Sequence, residues 1–247
     1  MLQQPMFARF QPLLSLDTSG GFAGADYARD AYIALTEVLH NPPAGVSHSA
    51  AIGICAINFS NTMVPALKRG HLSTDVALKY LRLHNPFTGE NVFSETQQLS
   101  GLVQHVTEHV IERVKSGFAV SQPTLAALRG YVASPHEIGI DVSVLAFTAL
   151  SMGCTRCFST SAPDQAAAVS APDPVAELSA LAAELRWMAP RCPQEVADVV
   201  ARISEMPVNP LLAVAIDTIL ADLSDPNGNI PAEVRHVAKV ARSRRSN

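Results

Sequence analysis

Apolar residues recur along this chain every three or four positions, and strict two-residue alternation is nowhere sustained. That period belongs to amphipathic helices, because 3.6 residues per turn bring positions i, i+3, i+4 and i+7 to one face. Tyr27, Ala31, Ala34, Leu35 and Val38 predict a helix over 26–40, stopped by Asn41-Pro42-Pro43. The run AAIGICAINF over 50–59 is apolar on every side and reads as a buried helix or as a short strand. Ser73-Thr74-Asp75 supplies capping side chains for a helix over 73–84 that turns Val76, Ala77, Tyr80 and Leu81 inward.

A longer helix is expected over 95–115, following Ser94 with Gln97 at capping-box spacing and ending at Ser116-Gly117. Ser134-Pro135-His136-Glu137 reads as another helix start. The helix it opens carries Ile138, Val142, Val144, Leu145, Phe147, Ala149 and Leu150, is apolar nearly all round, and so belongs in the core. Periodicity fades over 153–172, where Ser, Ala and Pro dominate as in a flexible connection. Beyond it, Asp173-Pro174, Cys192-Pro193, Asn209-Pro210 and Ile230-Pro231 each open a short helix, since proline lacks an amide that the first turn leaves unused.

These elements predict an all-α fold, a bundle of about nine or ten helices. Residues 1–152 form an N-terminal helical core domain, 153–172 a linker, and 173–247 a smaller C-terminal four-helix subdomain ending in a basic tail. The proline starts are regularly spaced but share no side-chain signature, so a true repeat array is not expected.

Composition narrows the class. With 247 residues, 48% of them hydrophobic and 16% charged, the chain is neither a disordered polyampholyte nor a disulfide knot, and it can bury a core without a metal. Four cysteines in no framework pattern (Cys55, Cys154, Cys157, Cys192) suit a reducing, cytoplasmic compartment. The longest apolar-rich segment, 138–152, holds Asp141 and is too short for a membrane span, and the N-terminus does not read as a signal peptide; neither a membrane span nor a cofactor is expected. The formal charge of −4 disfavours wholesale polyanion binding, but it is unevenly spread. Residues 161–230 are strongly acidic, whereas Arg235, Lys239, Arg242, Arg244 and Arg245 make the end basic, an interaction tail for an acidic neighbour.

Three constellations hold residue types that do chemistry. His105-Val-Thr-Glu108-His109 has the spacing by which two histidines on one helical face share a zinc ion while the glutamate activates water, with Glu184 as the third ligand. Against this, Val103, Val106, Val110 and Val114 define the buried face, which turns His105, Glu108, His109 and Glu112 toward solvent. Cys154-Thr-Arg-Cys157, with Cys192 and His136 in reserve, reads as half of a zinc site, as a redox dithiol, or as two semi-exposed thiols in a loop. Lys68, Arg69, His71, Lys79, Arg82 and His84, interleaved with Tyr80 and Phe87, would hold single-stranded nucleic acid, or form a solvated face with Tyr80 in the core.

No constellation outweighs its plainer reading, so the leading expectation is a non-enzymatic structural or interaction protein, a subunit of a homo-oligomer, filament or larger complex. The acidic region and basic tail suggest a head-to-tail contact between copies. A coat or nucleocapsid-like protein binding nucleic acid through Lys68, Arg69, Lys79 and Arg82 is the alternative in the same architecture. A zinc-dependent hydrolase is the alternative from another class.

Overall fold

A computed structural model describes residues 25–159, 174–205 and 210–245. Twelve helices account for most of these residues, ten of them seven residues or longer, and the only strand-like feature described is one antiparallel bridge, His84 with Asn91. The protein is an all-α bundle, as its periodicity requires. By backbone proximity the helices fall into two compact units. Of the described residues, the first holds 25–109 together with 134–142, and the second holds 110–133, 143–159, 174–205 and 210–245. The stretches 110–133 and 143–159 group with the C-terminal helices.

In the first unit, α1 (Ala25–His40) packs on α2 (His48–Lys68). Ser47 caps α2 by accepting from the Ala50 amide at 3.2 Å, and His48 Nε2 lies 3.0 Å from the Val38 carbonyl, tying the two helices at that end. The ambiguous run 50–59 is therefore helix, in the middle of a 21-residue element. The next helix, α3, is shorter than expected, Thr74–Tyr80, with Ser73 as its cap. Its buried side chains are Ala77 and Leu78, with Leu81 just beyond, whereas Val76 is 36% exposed. The core is largely aliphatic, with one cluster of aromatic rings. Tyr80 stacks on Tyr32 at 4.2 Å, and Phe59 of α2 meets Tyr32, Tyr80 and Phe93 at 5.9, 5.7 and 5.3 Å.

The helix expected over 95–115 is broken. A single turn, α4 (Val92–Glu95), is capped by Asn91, whose Oδ1 accepts from the Phe93 and Ser94 amides. Gln97 then takes φ 58°, so the capping box at Ser94 does not form, and α5 runs from Leu99 to Lys115. A second break obeys the same logic. α7 (Pro135–Ile138) ends at Gly139 with φ 88°, a conformation that costs glycine no steric penalty. α8 (Ile140–Ser159) restarts beyond it and continues through the first seven residues of the expected linker. Between these, α6 spans Gln122–Ala133.

The second unit adds α9 (Pro174–Met188), α10 (Pro193–Ser204), α11 (Pro210–Leu223) and α12 (Ala232–Arg245). The first three start at their prolines and the last just after Pro231. The core is mainly aliphatic: Leu125, Leu128, Leu150, Leu181, Leu185, Val200, Ile216, Leu220 and Val234 are essentially inaccessible to solvent. α12 packs on both α10 and α11. Arg129 of α6 donates to Glu184 of α9 through Nε at 2.9 Å, a largely buried ion pair inside this unit.

Candidate functional site

The most unusual surface belongs to α2. Its buried face consists of Ala51, Ile52, Cys55, Ala56, Phe59, Met63, Ala66 and Leu67. On the opposite side Ile54 and Ile57 are 45% and 49% exposed, with Ala50 and Asn61 also exposed and Val64 half-buried. No Asp, Glu, Lys or Arg occurs from Ser49 to Leu67, so the outer face carries no charge over five turns. A solvated helix face ordinarily carries charges. Apolar content on both sides makes α2 the one described helix long and apolar enough to cross a membrane by length and composition, although 44% of its most apolar window is buried within the chain. The interspersed Ser49, Asn58, Ser60, Asn61 and Thr62 conceal this length from a search for uninterrupted apolar residues.

Near the same helix lies the predicted basic cluster. Lys68, Arg69, Lys79 and Arg82 are all exposed, as are His71 and His84. Of the two interleaved rings, Tyr80 is committed to stacking on Tyr32, and burial together with the neighbouring Tyr80 charge raises the Tyr32 hydroxyl above its ordinary range. Phe87 is 70% exposed, with its ring edge-on to His48 at 5.7 Å. Its loop is rigidly built. Buried Asn85 accepts from the Phe87 amide, receives the Gly89 amide on its carbonyl, and donates through its side chain to Glu95 at 3.0 Å.

The histidine motif lies on α5 as its periodicity dictates: Val103, Val106, Val110 and Val114 are buried, and His105, Glu108 and His109 are half-exposed. His105 Nδ1 sits 3.5 Å from Glu108, whose other oxygen accepts from Gln104 at 2.8 Å. Glu184 is held by Arg129 in the second unit. Among the described residues, no group of three or more His, Cys, Asp or Glu gathers where it would hold a metal ion.

The cysteine pair is not in a loop. Cys154 lies within α8 and is buried, with Arg129 Nη2 at 3.9 Å from its sulfur; the Cys157 side chain lies outside the described residues. Cys192 is buried at the entry to α10, and burial, reinforced by Glu195 and opposed by Arg191, pushes its thiol up to about 11. His136 is exposed in the first unit.

Part of the basic tail is folded onto its own unit. Arg245 pairs with Asp217 at 3.1 Å and donates to the Ser204 carbonyl at the end of α10, and Arg235 donates to the Pro226 carbonyl. Lys239, Arg242 and Arg244 are exposed.

Among the described residues, fold and surface together define an all-helical bundle in which the outer face of α2 carries no charge. No protein-family model matches the chain, and neither a curated protein nor a solved structure matches it.

Proposed function

We propose that this protein is a non-enzymatic assembly subunit, working through packed helical surfaces and associating with itself. The observation that carries this reading is the outer face of α2, where Ile54 and Ile57 stand exposed on a helix without charge from Ser49 to Leu67. Loss of charge at the centre of a contact patch is the compositional mark of protein interfaces. Removing large apolar side chains from water contributes roughly 25 cal/mol per Å². The partial closure of Arg235 and Arg245 onto their own unit makes the basic tail a weaker candidate for the contact than α2.

Sedimentation or light scattering across a wide protein titration tests this. The expected result is a mass that rises with concentration, and a double Ile54→Glu, Ile57→Glu variant that keeps its helical signal but stays monomeric. A wild-type chain that is monomeric throughout, or that remains monomeric and floats with neutral phospholipid vesicles, overturns the reading.

The common exposure of Lys68, Arg69, Lys79 and Arg82 supports a second reading, a coat-like subunit that also holds single-stranded nucleic acid. Binding of an oligonucleotide at low salt that weakens steeply as salt rises is expected there, and indifference to the oligonucleotide excludes it.

A further inference from the structure

The chain contains a single Asn-Gly pair, Asn227-Gly228, and the loop between α11 and α12 presents it to water. Asn227 is exposed, as are Asp225, Pro226 and Asn229 around it. Its side chain makes no hydrogen bond among the described residues, although its backbone amide donates to Asp225 Oδ1 at 2.9 Å. The Gly228 amide donates to the Asp225 carbonyl at 3.3 Å, a long bond that is easily given up. An asparagine side chain is open to attack by the backbone nitrogen that follows it, and a glycine nitrogen carries no side chain to block the approach.

The other described asparagines each fail one of these conditions. Asn41 and Asn85 precede proline, whose nitrogen has no hydrogen to lose. Asn58 and Asn61 lie inside α2, where the following amides are bonded into the helix. Asn91 commits its Oδ1 to the Phe93 and Ser94 amides and its Nδ2 to the Leu81 carbonyl. Asn229 is followed by the branched Ile230.

We propose that Asn227 is a self-modification site. The Gly228 nitrogen forms a bond to Asn227 Cγ, the Cγ–Nδ2 bond breaks, and ammonia leaves with the proton that the nitrogen gives up. Water then opens the cyclic imide at either carbonyl. One opening leaves aspartate at position 227, and the other routes the backbone through the side-chain carbon and leaves isoaspartate. Water is the co-reactant, and the step is independent of whether the chain associates with itself. Either product adds a carboxylate to the turn that Asp225 holds, and isoaspartate also lengthens the backbone there. The change falls next to the Pro226 carbonyl, to which Arg235 of α12 donates at 3.0 Å, so it acts on a contact between this loop and α12.

The test incubates the folded, full-length protein at body temperature, at mildly acidic and at mildly alkaline pH, and follows the peptide containing Asn227 by mass spectrometry. That peptide is expected to gain the mass difference between an amide and an acid, faster at alkaline pH because the attacking nitrogen must lose a proton. It should separate into aspartate and isoaspartate forms, while the peptides containing Asn61 and Asn91 stay unchanged. Gly228→Ala is expected to lose most of this conversion over the same period. Gly228 is not among the positive-φ glycines, and a Cβ there would meet the Asp225 carbonyl oxygen at 3.4 Å and Ile230 at 3.5 Å, ordinary contacts, so the variant keeps the loop. A folded wild type that stays unconverted, with the chain in denaturant as positive control, overturns the proposal by showing that the fold closes the site. Conversion to aspartate alone overturns it too, since direct hydrolysis needs no cyclic imide. So does a Gly228→Ala chain that converts as fast as wild type, or equal conversion at Asn61 or Asn91.

Discussion

The two units share a largely aliphatic core but differ in where aromatic rings gather and in what lies at the surface. In the first, three aromatic rings converge on Phe59, and the helix that carries Phe59 turns a second apolar face outward, with Ile54 and Ile57 exposed. In the second, the core is mainly aliphatic, one ion pair is largely buried, Arg129 with Glu184, and two lie nearer the surface, Arg186 with Asp222 and Arg245 with Asp217. The second unit thus sets ion pairs between its helices, although Val214 and Phe118 also stand exposed there. The first leaves one helix unfinished, which is the physical reason to look for a partner on α2.

The contrast breaks most sharply at the aromatic cluster. Phe59 is fully buried against Tyr32, Tyr80 and Phe93, so Phe59→Ala removes a ring and leaves a cavity. The expected loss is about 3–5 kcal/mol in denaturant unfolding. Ile54→Ala on the outer face of the same helix should cost far less under dilute, monomeric conditions. Equal losses would mean that the outer face is packed as the inner one is.

The next effect belongs to the second unit. Arg129→Met leaves the largely buried Glu184 carboxylate without its guanidinium, and a loss of about 1–3 kcal/mol is expected. Replacing both, as Arg129→Met with Glu184→Leu, should recover part of that loss, because the cost lies mainly in a stranded charge. A double variant as unstable as the sum of the single ones would show the pair to be a net source of stability instead.

How much of the molecule is legible in its sequence depends on where the chain obeys local rules. The prolines at 174, 193 and 210 start their helices as first-turn chemistry dictates, and the valine stripe of α5 is buried as its spacing says. Two of the boundaries that depart from expectation lie where a single residue leaves helical φ, Gln97 at 58° and Gly139 at 88°. Periodicity runs smoothly through both, since a one-residue break scarcely disturbs an apolar pattern. Cys154 escapes the sequence pattern because the helix holding it runs on into a Ser- and Ala-rich stretch that resembles a linker. The exposed face of α2 is hidden for a different reason. A run apolar on all sides has no periodic contrast, so the exposed stripe emerges only once Phe59 and its neighbours show which face is buried. The predicted basic residues do lie at the surface, but Tyr80 is not available to stack on a base, as its position on the inward stripe suggests.

The smallest expected effect compares one thiol from each unit. Burial pushes Cys55 of α2 up to about 11, and Cys192 reaches about the same value through burial, with Glu195 raising it and Arg191 lowering it. Both folded values lie above the ordinary 9.0, so each thiol favours the folded state below pH 9 and loses that contribution as pH rises through about 11. Stability should therefore be insensitive to these groups near neutrality and decline in that alkaline window. Their causes differ, however, and that separates the units. Glu195→Gln removes a neighbouring negative charge, so it should lower the pH at which Cys192 becomes alkylated while leaving Cys55 unchanged, with mass spectrometry of each peptide reporting the two separately. If both shift together, alkylation is tracking unfolding of the whole chain and not the local charge around one sulfur. If neither shifts, Glu195 exerts no field at Cys192, and the charge-laced character assigned to the second unit does not reach the entry of α10.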